Sequence, residues 1–240
     1  MPLYKKQKEW VIEEIHKERE FYEDDEYAEY FIENEFFTLY DYVRGEDIYT
    51  WADENRKFVH AKYQEAIEED DPDIFKEDVL LDPYLSWASN AYGQVKRRIQ
   101  GIPSSILFEK VKKVVDSIEK GNTNLDELFD MGRIPKKTGK AIVTEWMYRL
   151  YPEKCPIINR RSEFFYSNLP MAKDYTKVSL NEYAEVFTEM GNIVITEAEL
   201  PEKYKKYPLA LADRIAFMYS VDANHWEAYS EFHNREDDWT

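Results

Sequence analysis

The chain is 240 residues long with a formal net charge of −17, and 43% of its residues are hydrophobic and 16% aromatic. That apolar share is enough for a core and argues against intrinsic disorder, while 7 glycines and 10 prolines favour helices with short connections over a loop-rich all-β chain. A single cysteine, Cys155, excludes a disulfide framework, a four-cysteine zinc site and a four-cysteine iron–sulfur cluster. No apolar run approaches the roughly 18 residues of a membrane span and the N-terminus is polar, so a soluble cytoplasmic protein is expected, with no membrane contact.

In chain order, apolar residues at Trp10, Ile12, Ile15 and Phe21 recur at helical spacing over 4–22. Residues 27–43 are dense in aromatics, and 49–67 predict a third helix. The run Glu68-Glu69-Asp70-Asp71-Pro72-Asp73 is an acidic breaker. It divides an acidic, aromatic-rich helical part (1–70) from a second helical part (71–240), as two domains or as one continuous domain. A helix over 83–100 ends in Lys96-Arg97-Arg98, and another over 106–118 is closed by Gly121-Asn122 as a C-cap. Residues 125–129, a tight turn and a helix over 136–150 follow, stopped at Tyr151-Pro152. A helix after Pro156, a helix over 179–190, a short strand over 192–196 and a last buried helix over 210–219 complete the reading. The fold class is mainly α, a helical bundle.

Charge is unevenly placed. Residues 96–161 hold 15 basic and 8 acidic residues, whereas the remainder holds 17 basic and 41 acidic. A basic middle between acidic flanks suits a site for a polyanion, with the rest of the surface resisting indiscriminate binding.

Within that middle, Leu125 to Val143 reads as a short helix, a turn at 131–135 and a second helix opening with Lys136, Lys137 and Thr138. Pro135 suits the start of a helix, and free amides, a positive dipole end and two ammonium groups would meet there as an anion site. Gly139 and Ala141 are small enough to admit another backbone. The stretch from Gly132 to Lys140 is not a nucleotide-binding P-loop, because six residues separate its glycines and Ala141 follows the lysine.

The segment resembles a helix-hairpin-helix, the turn that grips DNA backbone in many repair proteins. That family's pattern is an apolar residue, Pro-Gly, an apolar residue, Gly, a variable residue, Lys or Ser, and Thr-Ala. With Thr138 on the family's Thr, Ile134 falls on the apolar turn residue, Lys137 on the Lys/Ser position, and Arg133 and Pro135 on the two glycines. Downstream, Cys155-Pro156-Ile157-Ile158-Asn159-Arg160-Arg161 resembles the Pro-(Val/Ile)-apolar-Asp stretch of helix-hairpin-helix DNA glycosylases. Asn159 stands where their catalytic Asp would be, and the interval is about one helical turn longer. The lysine-rich helix over 108–118 is similar to the one preceding the hairpin in those enzymes. Pro152-Glu153-Lys154-Cys155-Pro156-Ile157-Ile158-Asn159 also resembles a region ahead of the ATPase motor in McrB-type modification-dependent restriction proteins.

The resemblance implies a DNA glycosylase-like protein that flips and excises a damaged or modified base, modified phage DNA in a defence role included, and leaves an abasic site. The alternative is a non-catalytic DNA-binding specificity module of a modification-dependent restriction or defence system; a third class is a helical protein-interaction or DNA-mimic protein. Under the first, Lys136, Lys137, Thr138 and Lys140 hold the backbone of double-stranded DNA, joined by Lys96, Arg97 and Arg98, while Arg160 and Arg161 flank the active site. Lys137 either attacks the sugar as a nucleophile or binds phosphate. Asn159 orients a water or holds its turn. Glu145 is a candidate catalytic carboxylate, with Asp130, Asp24 and Asp53 as others. Asn90, Tyr92 and Gln94 are candidates for the base pocket or for filling the gap. The aromatics over 22–51 read mainly as core, with outward tyrosines able to stack on a base. His16, His60, His225 and His233 lie apart, so neither metal nor cofactor is expected; a protein partner would use the acidic flanks.

Overall fold

The computed structural model describes residues 3–23, 48–81, 97–197, 202–222 and 224–234. Its helices are α1 (Lys5–Glu23), α2 (Ile48–Glu68), α3 (Pro72–Phe75), which runs into a π-helical turn (Lys76–Leu80), α4 (Ser104–Glu119), α5 (Leu125–Gly132), α6 (Lys140–Leu150), α7 (Arg160–Asn168), α8 (Leu180–Glu197), α9 (Pro208–Val221) and α10 (Trp226–His233). Among the described residues no strand forms, and the protein is mainly α. None of the described helices is long and apolar enough to cross a membrane, and no group of three or more His, Cys, Asp or Glu among the described residues could hold a metal. The helix expected over 27–43 and the beginning of the one expected over 83–100 lie outside the described residues; 97–100 are helical. The described chain falls into two compact units, one drawn from Met1–Asp53 and Pro152–Glu236, the other from Glu54–Tyr151.

In the first unit α9 is the centre. Leu209, Ala210, Leu211, Ala212, Ile215 and Ala216 are all buried, and a helix apolar nearly all round must be covered on every side. Pro208 opens it at a position whose amide needs no partner. It packs on α8, whose buried stripe runs Tyr183, Val186, Phe187, Met190, Gly191, Val194 and Ile195. That stripe corrects the strand expected over 192–196: Val194 and Ile195 continue the helical spacing of Phe187 and Met190 into the core, and the Thr196 hydroxyl donates to the Asn192 carbonyl at 3.0 Å. Tertiary packing overrides the β-branched preference for extended backbone. From α1, Leu3, Gln7, Val11 and Ile15 are buried, and Trp10 lies 5.1 Å from the Phe165 ring of α7 and 5.4 Å from the Tyr219 ring of α9.

The second unit gathers α3, the π-helical turn, α4, α5 and α6 with the greater part of α2. The rings of Tyr63, Phe75 and Phe108 meet at 5.6–6.1 Å, and α4 buries Leu107, Phe108, Val111, Val114, Val115 and Ile118 on one face. Its end is a Schellman cap: Gly121 takes φ +90°, its amide donates to Ile118 O at 3.0 Å, and the Asn122 amide donates to Ser117 O at 3.0 Å. The acidic run at 68–73 is the turn between α2 and α3, with Asp71 as N-cap accepting the Asp73 amide at 2.9 Å. Lys76 is buried on the π-helical turn and donates to Ile102 O at 2.9 Å.

Gly191 lies at a close approach of α8 and α9: a Cβ there would stand 1.9 Å from Pro208 O. Because the obstacle is backbone, Gly191→Ala cannot be relieved by a rotamer change. It is expected to destabilise the protein by about 3 kcal/mol, read as a lowered urea midpoint; an unchanged midpoint would contradict the packing described.

Candidate nucleic-acid interface

The hairpin of the second unit is built from α5, α6 and the seven residues between them. Asn124 caps α5, its side chain accepting the Glu127 amide at 3.4 Å, and Leu125 and Leu128 anchor it in the core. The two helices approach closely at Gly132, where a Cβ would come within 2.7 Å of the Trp146 ring. Gly139, expected to serve that purpose, has nothing within 4 Å of its would-be Cβ. It is instead the N-cap of α6, in extended backbone and without a side-chain cap.

The second helix therefore starts at Lys140, four residues later than the predicted start at Lys136. The reason is local. Lys136 adopts φ +61°, a left-handed conformation that interrupts a right-handed helix. The Lys137 and Thr138 amides both donate to Ile134 O at 3.0 Å. Thr138, buried, accepts the Ile134 amide on its hydroxyl at 2.7 Å, so its side chain closes the turn. Arg133, Pro135, Lys136 and Lys137 are exposed, and Lys140 is half-buried at the start of α6. Arg133 pairs with exposed Asp130 at 3.4 Å and sits 5.8 Å from the Phe129 ring. The turn thus presents cationic side chains on a frame held by Thr138.

Other predicted residues of this unit fall elsewhere. Arg97 is exposed and Arg98 half-buried, the first two residues of the 97–100 helical segment. Lys96, Asn90, Tyr92 and Gln94 lie outside the described residues, as does Asp24. Glu145 is 5% exposed and bound to Arg149 at 2.5 Å. Arg149 in turn donates to the Val79 carbonyl on the π-helical turn. A buried carboxylate with a buried guanidinium one helical turn away satisfies two charges that would each be costly alone.

Asn159, Arg160 and Arg161 belong to the first unit. Asn159 is the N-cap of α7: its Oδ1 accepts the Arg161 amide at 2.9 Å and the Ser162 amide at 3.1 Å, while Ser162 Oγ accepts the Asn159 amide at 2.8 Å. This reciprocal box fills amides that would otherwise be orphaned. Arg160 is buried, 3.7 Å from Glu163 and 5.6 Å from the Phe232 ring. Arg161 is half-buried, its guanidinium 4.3 Å from the Phe217 ring, and the Tyr229 hydroxyl lies 3.4 Å from His233 Nδ1. Burial raises the Tyr229 pKa and the two arginines oppose the shift; burial, then Arg160 and Arg161, lower that of His233. Asp53 accepts hydrogen bonds from Lys206 at 2.6 Å and from the buried Tyr207 hydroxyl at 2.7 Å.

Sequence reasoning did not place α10, whose Trp226, Tyr229 and His233 share one helical face at i, i+3 and i+7.

No protein-family model matches the sequence, and neither a curated protein nor a solved structure shows significant similarity to it.

The capping geometry gives Asn159 a measurable structural role. Asn159→Ala is expected to destabilise the protein by about 1 kcal/mol, and Asn159→Asp to keep wild-type stability because a carboxylate caps equally well. Urea unfolding of both variants checks this; equal losses would show that the cap is not the side chain's contribution.

Proposed function

We propose that the protein binds double-stranded DNA through the turn between α5 and α6, holding the sugar–phosphate backbone in the manner of a helix-hairpin-helix. The observation that carries the reading is Lys136. It occupies the left-handed position of the turn, where an L side chain costs about 1–2 kcal/mol relative to the usual backbone and glycine is free of the penalty. A lysine at that position beside exposed Lys137 and Arg133 suits a turn shaped for charge at its tip rather than for ease of folding. Three cations on a loop closed by Thr138 match what a phosphate backbone recognises. The resemblance of Pro152–Asn159 to the region ahead of the motor in McrB-type proteins supports a role in recognition of modified DNA, with the chain as the specificity module of a restriction or defence system.

A second reading, excision of a damaged or modified base, rests on Lys137. It stands in the column of nucleophilic lysines and its amine is exposed on the turn. In that chemistry the uncharged amine attacks the sugar C1′, the base leaves with the electron pair of the N-glycosidic bond and takes up a proton, and the ring opens to a Schiff base that water hydrolyses to an abasic site. Of the candidate carboxylates, Glu145 is bound by Arg149, Asp53 by Lys206 and Tyr207, and exposed Asp130 pairs with Arg133 at 3.4 Å, which favours the binding reading.

Duplex binding measured across salt concentrations tests the first reading. Lys136→Glu with Lys137→Glu is expected to lower affinity at least tenfold and to flatten the log–log salt slope by about 2, the value for two lost phosphate contacts. An unchanged slope would remove the hairpin from the interface. Borohydride treatment of the protein with duplexes carrying modified bases tests the second. A covalent adduct that Lys137→Ala abolishes establishes excision, whereas a gel shift with neither adduct nor free base leaves binding alone.

A further inference from the structure

The helix that leads into the hairpin turn carries a residue that its own geometry does not favour. Asp130 stands in the last turn of α5, which ends at Gly132. A carboxylate there opposes the negative end of the helix dipole, where a cation would be stabilising. Its side chain is 68% exposed, so burial does not account for it either. Its partner is the Arg133 guanidinium, whose Nε lies 3.4 Å from the carboxylate. Lys136, on the same hairpin, is likewise placed against local preference, in the left-handed region. Two such choices so close together mark a segment whose residues answer to something besides folding.

Arg133 is held at its backbone and exchangeable at its side chain. As the C-cap of α5 its amide donates to Phe129 O at 2.9 Å, and its guanidinium stands 5.8 Å from the Phe129 ring. With the backbone fixed, the guanidinium has two anions to choose between: the Asp130 carboxylate, or a phosphate brought to the turn by exposed Lys136 and Lys137. An exposed pair of flexible side chains is weak in water, whereas a guanidinium meets a phosphate with charge-assisted and often paired hydrogen bonds.

We propose that Asp130 competes with DNA phosphate for Arg133. In the free protein the guanidinium rests on Asp130; in the complex it moves to the sugar–phosphate backbone, and the competition sets the affinity of the hairpin. The inference rests on the DNA-binding reading of the same turn. Its consequence is a hairpin kept below its greatest affinity, with the third cation engaged only on a duplex that the two lysines already hold. In a chain of net charge −17, such a competitor acts in the same sense as the acidic surface, against loose association.

The test measures duplex affinity at one salt concentration for the wild type, Asp130→Asn, Arg133→Gln and the double variant, with circular dichroism to check that each is folded. Asp130→Asn is expected to tighten binding about fivefold, the upper end for release of an exposed pair. In the Arg133→Gln background the same change is expected to alter affinity less than about twofold, because the two residues act as a unit. A gain of equal size in both backgrounds would show that Asp130 acts only as diffuse negative charge and overturns the proposal, as does no gain beside intact Arg133. The NMR resonance of the Arg133 Nε–H, identified by its loss in Arg133→Gln, is a direct readout. It is expected to shift on Asp130→Asn without DNA and on adding duplex to the wild type; a resonance that either change leaves in place overturns the exchange. Failure here is separable from failure of the DNA reading. If Lys136→Glu with Lys137→Glu flattens the salt slope while Asp130→Asn changes nothing, the competitor is removed and the hairpin stands, whereas an unchanged slope removes both.

Discussion

The hydrogen bond from the Ile134 amide to the Thr138 hydroxyl holds together the part of the molecule on which its proposed activity depends. The hairpin turn contains a proline and a residue at φ +61°, and neither of the glycines that usually make such a turn easy. A chain with that composition has several competing ways to connect two helices. Thr138 reduces them by binding the Ile134 amide at 2.7 Å through its side chain while its own amide donates to the Ile134 carbonyl at 3.0 Å. Two bonds between the same two residues close a loop whose remaining side chains face solvent. Without that closure the lysines would be flexible point charges, each losing most of its conformational freedom on meeting a phosphate. With it, the backbone part of that ordering is already complete in the free protein.

Periodicity made much of the architecture legible. The helices over 49–67, 106–118 and 210–219 appear within a few residues of their expected bounds, because their apolar stripes are long and punctuated by Gly121 and Pro208. The misread segments share a cause. Asn192 to Thr196 looks extended when taken alone, since β-branched residues favour strands, but Val194 and Ile195 complete a stripe begun ten residues earlier. The start of α6 was placed four residues early because lysines and a proline are compatible with a first helical turn; only the backbone angle of Lys136 decides otherwise. The close approach of α5 and α6 belongs to Gly132 rather than Gly139, a distinction that depends on where the Trp146 ring lies and that no local pattern encodes.

The candidate site was legible as a list of residues and not as an arrangement. The basic stretch from 96 to 161 is one feature in sequence and is shared between two compact units in the fold. Lys136, Lys137 and Lys140 fall in one unit, Asn159, Arg160 and Arg161 in the other. Asn159 shows why role cannot be carried across by column alone. Asn159 stands just before α7, and an Asp or an Asn at such a position can accept two helix amides. The capping function is therefore available to both, and the amide retains it while giving up the charge.

Arg160 and Arg161 illustrate how adjacent cations of one helix meet different surroundings. Successive residues of a helix point about 100° apart, so α7 sends one guanidinium into the core and leaves its neighbour half-exposed. The buried one needs a counter-charge to offset its desolvation, and Glu163 one turn on provides it at 3.7 Å. The other lies with its guanidinium 4.3 Å from the Phe217 ring. The overall −17 does not forbid the proposed binding to DNA. At physiological ionic strength, charges beyond about 8 Å are largely screened, so a strand already at the surface responds to the few groups beneath it. The acidic remainder acts earlier, on the encounter, where it disfavours loose association along the rest of the surface. A molecule built this way gives up the fast, indiscriminate electrostatic capture of a basic protein. Under the proposed reading its affinity comes from short-range contacts, the phosphates met by ordered cations.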